Sequence, residues 1–583
     1  MLKTLIRQIG EYKKDSILTP IFSALEVFME ILIPFITAAI IDRGIHNNDM
    51  EKILIYGGIM LVCAFFSLFF GIQAGKYAAS ASSGFACNIR NKMFGKIQTF
   101  SFSNIDKFST AGLVTRMTTD VTNLQNAYQM SIRIAVRAPI MLIISMVMCF
   151  FINVKLSLIF LGAMVVLAVL LGTIIKKAMP VFQEVFNKYD SLNASVQENI
   201  SAIRVVKAYV REDHENKKFN KAAEALYRLF VKAESILSFN APVMMFVIYG
   251  CIVALSWFGA KDIVGGTLTT GNLTSLFSYI LSMMMSLMML SMVFVMLSLS
   301  TASAKRIVEV LNEKPDLDNP EKPVEVVADG SIDFDNVDFS YRAESEENTL
   351  HNINIHIKSG ETIGIIGGTG SGKSSFVSLI SRLYDVKSGT VRVGGVDVRK
   401  YDMDALRRQV AVVLQKNVLF SGTILDNLRW GKEDATREEC IEACRQACAD
   451  EFIERLPQKY ETWIEQGGTN VSGGQRQRLC IARALLSRPK VLILDDSTSA
   501  VDTATDAKIK QAFAEKISET TKLIVSQRIS SIENADRILV LDNGEVNGFD
   551  THENLLKTNE IYREIYTAQM QNGSDFDDVK EEA

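Results

Sequence analysis

The chain is 583 residues long and 48% hydrophobic, and its 62 Lys and Arg against 66 Asp and Glu leave a net charge of −4. That length predicts more than one domain, and the near-neutral balance excludes the basic field that holds nucleic acid, so no nucleic-acid partner is expected. The hydrophobic content is uneven. Residues 16–300 carry long apolar runs, whereas residues 330–560 have the balance of a soluble α/β domain. The cysteines (Cys63, Cys87, Cys149, Cys251, Cys440, Cys444, Cys448 and Cys480) include no C-x-x-C pair. Cys440, Cys444 and Cys448 recur every fourth residue. With no His among them, this predicts a packed helix face rather than a metal site, and a disulfide framework is not expected.

Residues 1–14 put Leu2, Leu5, Ile6 and Ile9 on one helical face among Lys and Arg, which predicts a short helix lying in the membrane interface. They lack the uninterrupted apolar core of a cleavable signal peptide. Six apolar stretches follow, near 17–41, 54–75, 133–153, 156–176, 240–260 and 272–298, each long enough to cross about 30 Å of hydrocarbon. The connections 42–53, 154–155 and 261–271 are short. The connections 76–132 and 177–239 are long, helical in pattern and rich in Lys and Arg, so the positive-inside rule puts them and both termini in the cytoplasm. Small and polar residues interrupt these long connections near 103–113 and 204–212, which suits short transverse helices, with ordinary helical hairpin tips as the alternative.

Glu26 and Glu30 lie one turn apart inside the first apolar stretch. A carboxylate in lipid is costly, so both are candidates for a transport pathway, with Arg133 and Arg137 as possible partners; snorkelling of Glu26 is the alternative. The sixth stretch holds a methionine stripe that includes Met285, Met289 and Met292. Met suits adaptable binding surfaces, and plain packing is the alternative. Pro315, Pro320 and Pro323 among charged residues mark a linker over 305–330, after a membrane domain over 1–304. A soluble domain is expected over 331–568, and an acidic disordered tail over 569–583.

Gly367-Gly368-Thr369-Gly370-Ser371-Gly372-Lys373-Ser374-Ser375 fits the phosphate-loop pattern. A strand-like run, Glu361–Gly367, precedes it, and a run of helical period, Phe376–Leu383, follows it. The glycines let successive N–H groups turn onto a polyphosphate, and the helix start adds free donors. Lys373 suits the β- and γ-phosphates and Ser374 suits Mg²⁺, so ATP and Mg²⁺ are the expected cofactors. Tyr341 is placed to stack on adenine. Gln415 ends an apolar run, Val471-Ser472-Gly473-Gly474-Gln475 precedes a helix, and Val491–Asp496 reads as a buried strand ending in two carboxylates. Ser499-Ala-Val-Asp502 follows.

This order of motifs resembles the nucleotide-binding domain of an ABC transporter, and six spans before it resemble an ABC exporter half-transporter. The resemblance covers nearly the whole chain. It implies a polytopic α-helical membrane domain with long cytoplasmic extensions, fused to an α/β ATPase, in the cytoplasmic membrane. It further implies pairing with a second half-transporter, so that each ATP lies between one half's phosphate loop and the other's signature, Ser472–Gln475. Gly367, Thr369, Gly370, Ser371, Gly372, Lys373, Ser374, Ser375, Gln415 and Tyr341 would bind ATP. Ser374, Gln415 and Asp495 would hold Mg²⁺, and Asp502 would make a dimer contact. The segments near 103–113 and 204–212 would be coupling helices. Two residues depart from the family pattern: Asp496 stands where a catalytic glutamate is usual, and Gln527 where a switch histidine is usual. Together they resemble the degenerate half of a heterodimeric bacterial multidrug exporter of hydrophobic or amphipathic compounds. A homodimeric lipid, peptide or drug exporter and a membrane-bound ATP sensor are the alternatives.

Overall fold

The computed structural model describes residues 1–341, 347–496 and 503–577. The chain divides into two compact units. One joins Met1–Gln98 with Ser109–Glu313, and the other joins Thr99–Phe108 with the chain from Lys314 onward.

The first unit is helical throughout, as expected where apolar runs leave the backbone no water to bond. Six of its helices are long and apolar enough to cross a membrane: Leu2–Ile45, Met50–Gln98, Thr110–Ile152, Val154–Phe182, Glu212–Val264 and Thr270–Asn312. They outrun the apolar stretches. The second is 49 residues long, about 70 Å at 1.5 Å per residue, so it extends far beyond the hydrocarbon. Within Leu2–Ile45, a short helix, Leu2–Ile6, and a 3₁₀ turn, Arg7–Tyr12, kinked at Gly10, precede the long α-helix Lys13–Ala39. The Tyr12 ring lies where a Cβ on Gly84 would stand, 2.3 Å away, so only glycine admits this contact.

Asn153 makes the tight turn between the third and fourth spans. It is extended, and its side chain accepts the Leu156 N–H at 3.2 Å. Asp42 ties the end of the first span to the start of the sixth, accepting the Thr269 hydroxyl at 2.6 Å and the Gly271 N–H at 2.9 Å. Val27, Ile31, Met141, Leu167, Tyr279 and Met283 lie in one buried core, where the Tyr279 hydroxyl donates to the Ile31 carbonyl at 2.9 Å.

The interrupted stretches hold short helices. Near 103–113 there are two, Phe102–Phe108 and Thr110–Thr115, parted by Ser109 at φ 54. Near 204–212 the helix is Ile203–Ala208, and Val210 at φ 52 ends it. The sixth long helix continues to Asn312, inside the stretch expected as linker, because Ile307, Val308 and Val310 are buried.

The second unit is α/β. Its strands are β1 (Ile332–Phe339), β2 (Leu350–Ile357), β3 (Thr362–Ile366), β4 (Ser388–Val393), β5 (Val396–Asp397), β6 (Val410–Val413), β7 (Gly422–Thr423), β8 (Trp463–Ile464), β9 (Val491–Asp495), β10 (Thr521–Val525), β11 (Arg537–Asp542) and β12 (Glu545–Asp550). A four-stranded antiparallel sheet has the order β2-β1-β4-β5, and a six-stranded sheet the order β12-β11-β3-β10-β9-β6. In the larger sheet β11, β3, β10, β9 and β6 run parallel. Every residue of β9 and β10 is buried, as a parallel sheet covered on both faces requires. The period of two divides β9 between two cores. Ile493 joins Phe334, Ile365 and Phe376, while Leu492 and Leu494 join Leu479, Ile481 and the helix Arg437–Gln446. Cys440 and Cys444 are buried on one face of that helix, as their spacing predicts, but the helix ends at Gln446, and Cys448, at φ 52, packs beside them from beyond its end. The last helix runs from Glu560 to Asp577, past the end expected for the domain.

Candidate nucleotide site

β3, β9 and β10 are neighbours in parallel register, with Ile365 opposite Val525 and Val525 opposite Asp495. Their carboxyl ends therefore share one edge, the usual place for ligands on an open α/β sheet. Each of the three following loops carries a motif.

After β3 the loop 367–372 leads into the helix Lys373–Ile380. Gly370 and Gly372 have φ of 85 and 92, a region other residues avoid. A Cβ on Gly367 would stand 2.1 Å from the Leu541 carbonyl oxygen, so glycine is also needed for close packing there. At Gly368 and Gly370 a Cβ would meet nothing within 4 Å, so this side of the loop is open. Lys373 Nζ donates to the carbonyls of Gly367 at 2.8 Å and Gly368 at 2.7 Å. Burial holds its pKa below the usual lysine value, against the pull of Asp495 and Asp496.

Asp495 ends β9 and is buried, 7% exposed. Burial raises its pKa and the neighbouring Asp496 adds to this, while a hydrogen bond from Ser374 and the charge of Lys373 oppose it. A buried carboxylate with a hydroxyl oxygen at hydrogen-bond distance is the start of an all-oxygen site suited to Mg²⁺, and an open loop of backbone donors suits a polyphosphate. These residues fit Mg-ATP. Asp496 follows at φ 46, with its N–H donated to the Val525 carbonyl at 3.0 Å. Asp tolerates the left-handed region better than most residues. Asp502 lies outside the described residues.

After β10, Gln527 is exposed. Its carbonyl accepts Nε2 of Gln569 at 2.8 Å, and Oε1 of Gln569 accepts the Ile529 N–H at 2.9 Å. One side-chain amide from the last helix thus spans the switch segment. Gln569 begins the stretch expected to be a disordered tail but lies on the last helix, and a bond to a distant backbone leaves no signal in sequence.

Gln415 is exposed two residues beyond β6, the neighbour of β9. The Tyr341 hydroxyl shares a 2.8 Å hydrogen bond with Ser375, and its ring meets Tyr384 edge-on at 5.1 Å, leaving it 47% exposed. Ser472 caps the helix Gly473–Leu486 in a reciprocal box: Ser472 Oγ accepts the Gln475 N–H at 3.3 Å, and Gln475 Oε1 accepts the Ser472 N–H at 2.9 Å. Ser472 and Gly473 remain exposed. This helix packs on Ile424–Arg429, Arg437–Gln446 and β6, whereas the phosphate-loop helix packs on β4, β9 and β10.

In the membrane unit, Arg137 Nη2 lies 2.6 Å from Glu30 and 3.6 Å from Glu26. Of the two arginines considered, Arg137 makes the ion pairs among the described residues. Glu26 packs over Gly71, and Arg133 lies beside Gly75. The methionine stripe divides: Met283 and Met284 are buried, while Met285, Met289 and Met292 are 64%, 38% and 63% exposed.

Residues 16–287 match the family model of the ABC transporter transmembrane region, and residues 350–499 that of the ABC transporter. The chain is 37% identical to YfiB of Bacillus subtilis, an uncharacterized ABC transporter ATP-binding protein, over 94% of both chains. The chain belongs to the ABC transporters. It is therefore a multi-pass membrane protein whose ATPase domain couples ATP hydrolysis to transport. The transporter is also 33% identical to an ATP-dependent lipid A-core flippase of Syntrophus aciditrophicus, over 83% of this chain and 80% of that one. Its fold matches a bacterial Atm1-family ABC exporter with ATP bound at a TM-score of 0.83, with 23% identity, covering 96% of this chain and 99% of that one.

Proposed function

We propose that the transporter is one half of a heterodimeric exporter of hydrophobic or amphipathic compounds in the cytoplasmic membrane, with its ATPase domain and both termini in the cytoplasm. Its own phosphate loop binds ATP at a degenerate site, and Ser472–Gln475 complete the partner's site. The observation that carries this reading is local. Lys373, Ser374 and Asp495 form an intact nucleotide cradle, while Asp496 and Gln527, on the two adjacent loops, replace the glutamate and histidine usual in the family. The similarity to a lipid A-core flippase supports an amphipathic substrate class.

Lys373 and the loop amides hold the phosphates, and Ser374 and Asp495 would hold Mg²⁺, with Gln415 as a further oxygen donor. Bound there, Mg²⁺ supplies charge neutralisation at the transferring phosphoryl group. Tyr341, braced by Ser375 and Tyr384, supports the adenine. Asp496 carries its carboxylate one methylene short of a glutamate's, roughly 1.5 Å, and a misplacement of about 1 Å costs on the order of 10²-fold. Gln527 donates a hydrogen bond but carries no charge, so this site turns over slowly. Asp502 is assigned to the contact between the halves. Glu26, Glu30 and Arg137, with the exposed Met285, Met289 and Met292, are assigned to the substrate path.

The test is ATP-dependent movement of a cationic dye in vesicles carrying this chain and a second half-transporter with glutamate and histidine at the matching positions. Transport and copurification of the pair are expected, and Lys373→Ala should abolish photolabelling of this half by an ATP analogue. Full transport by this chain alone would replace the heterodimer with a homodimer. ATP binding with no movement of any dye would favour a sensor.

A further inference from the structure

A groove of about 660 Å³ runs between the fourth and fifth spans. On the fourth span its lining is Leu170, Thr173, Ile174 and Lys177, spaced as one helical stripe. On the fifth side it is Lys232, Ser235, Ile236, Phe239 and Val243, again one stripe. The two helices are antiparallel and packed on each other. Lys177 is the last residue of one stripe and Lys232 the first of the other, so both ammonium groups stand at the same mouth. From there the lining is apolar or hydroxylic towards the bilayer centre, about 10 Å from Lys177 to Leu170. No carboxylate lines the groove, and among the described residues no carboxylate lies within salt-bridge distance of either lysine.

We infer that this groove is a binding site for an anionic phospholipid of the leaflet at the end where the long connections emerge. Two cations with no acidic partner among the described residues, on separate helices at one mouth, complement a phosphate-bearing headgroup. The stripe behind them suits one acyl chain, and Phe239, 64% exposed and seven residues in from Lys232, offers that chain an aromatic surface. Lysines that merely snorkelled would favour the interface without retaining a particular lipid. A site selects phosphatidylglycerol over phosphatidylcholine and keeps it through detergent extraction. Near a membrane surface each lysine contributes a factor of about five for an anionic lipid, so the pair supplies about twenty-five- to thirtyfold.

The full-length transporter, assembled in its membrane and extracted in mild detergent, is examined by native mass spectrometry with an equal mixture of phosphatidylglycerol and phosphatidylcholine. Wild type is expected to retain phosphatidylglycerol. Lys177→Gln with Lys232→Gln should reduce this by about twenty-five- to thirtyfold with phosphatidylcholine unchanged, and Lys177→Arg with Lys232→Arg should retain it. A second readout is Phe239→Trp, whose fluorescence should be quenched more by brominated phosphatidylglycerol than by brominated phosphatidylcholine. Equal retention by wild type and the double glutamine variant would overturn the site. Displacement by soluble glycerol phosphate as effective as by lipid would overturn the acyl groove. Retention by the isolated chain but not by the assembled transporter would show that the groove belongs to the contact between halves, and would overturn it too.

Discussion

Ser472→Ala and Ser472→Asp, set beside Asp496→Asn, separate the two composite sites. Ser472 accepts the Gln475 N–H at 3.3 Å as the N-cap of a 14-residue helix. Losing that cap costs about 1 kcal/mol, a small part of the roughly 5–15 kcal/mol that holds a domain folded. Misfolding therefore does not explain a large loss of turnover in Ser472→Ala. Asp caps as well as Ser, so Ser472→Asp keeps the helix end while bringing a negative charge to where a γ-phosphate would sit. At about 4 Å that repulsion is roughly 1 kcal/mol in water and roughly 4 kcal/mol near a protein surface, or about fivefold to a thousandfold in rate. Steady-state ATPase of the purified pair is expected to fall in the order wild type, Ser472→Ala, Ser472→Asp, with melting temperatures nearly unchanged. Asp496→Asn should leave most of the rate, because the slow site contributes little of it. Turnover abolished by Asp496→Asn and preserved in both Ser472 variants would refute the asymmetric reading.

Burial raises the pKa of Asp495, so its charged form is disfavoured in the fold. The destabilisation is absent at low pH and grows as pH rises through and above the ordinary aspartate range, about 4. Asp495→Asn should raise the nucleotide-free melting temperature at neutral pH, less so in acid, and should remove the further stabilisation by Mg-ATP. Gln569→Ala removes two hydrogen bonds, each worth about 1 kcal/mol, from the switch segment. Amide exchange of Gln527–Ile529 should quicken, while the kcat of the pair stays nearly unchanged because the slow site contributes little of it. Arg137→Gln strands two carboxylates between spans. With Glu30 38% exposed the cost should be near the low end for a broken buried pair, about 3 kcal/mol. A lowered melting temperature in detergent is expected, with recovery when Glu26→Gln and Glu30→Gln are added.

The glycine loop 367–372 was legible in sequence because its parts are contiguous. A glycine loop between a strand and a helix defines its own geometry, and Asp495 ends a run apolar enough to be a buried strand. The spans were legible because lipid accepts little besides apolar helix. Helix ends were less so, since Met50–Gln98 and Thr270–Asn312 continue wherever propensity and packing allow once the apolar run stops. The break at Ser109 depends on one backbone torsion, which the residue type alone does not announce. Choosing Arg137 over Arg133 for Glu30 needed the rotation of one helix against another. The hold of Gln569 on a loop 42 residues earlier consists of bonds to backbone, which carry no side-chain signature at the receiving end.

Residues 99–108 group with the ATPase rather than with the helices that flank them. Ser103 Oγ donates to Asp316 at 2.6 Å, Asn104 Nδ2 to the Lys314 carbonyl at 3.1 Å, and the Tyr384 hydroxyl to Asp106 at 3.0 Å. The polypeptide therefore passes between the units three times, and the gene cannot be cut into two self-sufficient cassettes at one codon. A recombinant fragment starting at Lys314 would lack a ten-residue piece of its own surface, leaving Tyr384 and Asp316 without these partners. A soluble ATPase intended for crystallisation or ligand screening is better assembled as a graft, with residues 99–108 joined through a short spacer ahead of Lys314.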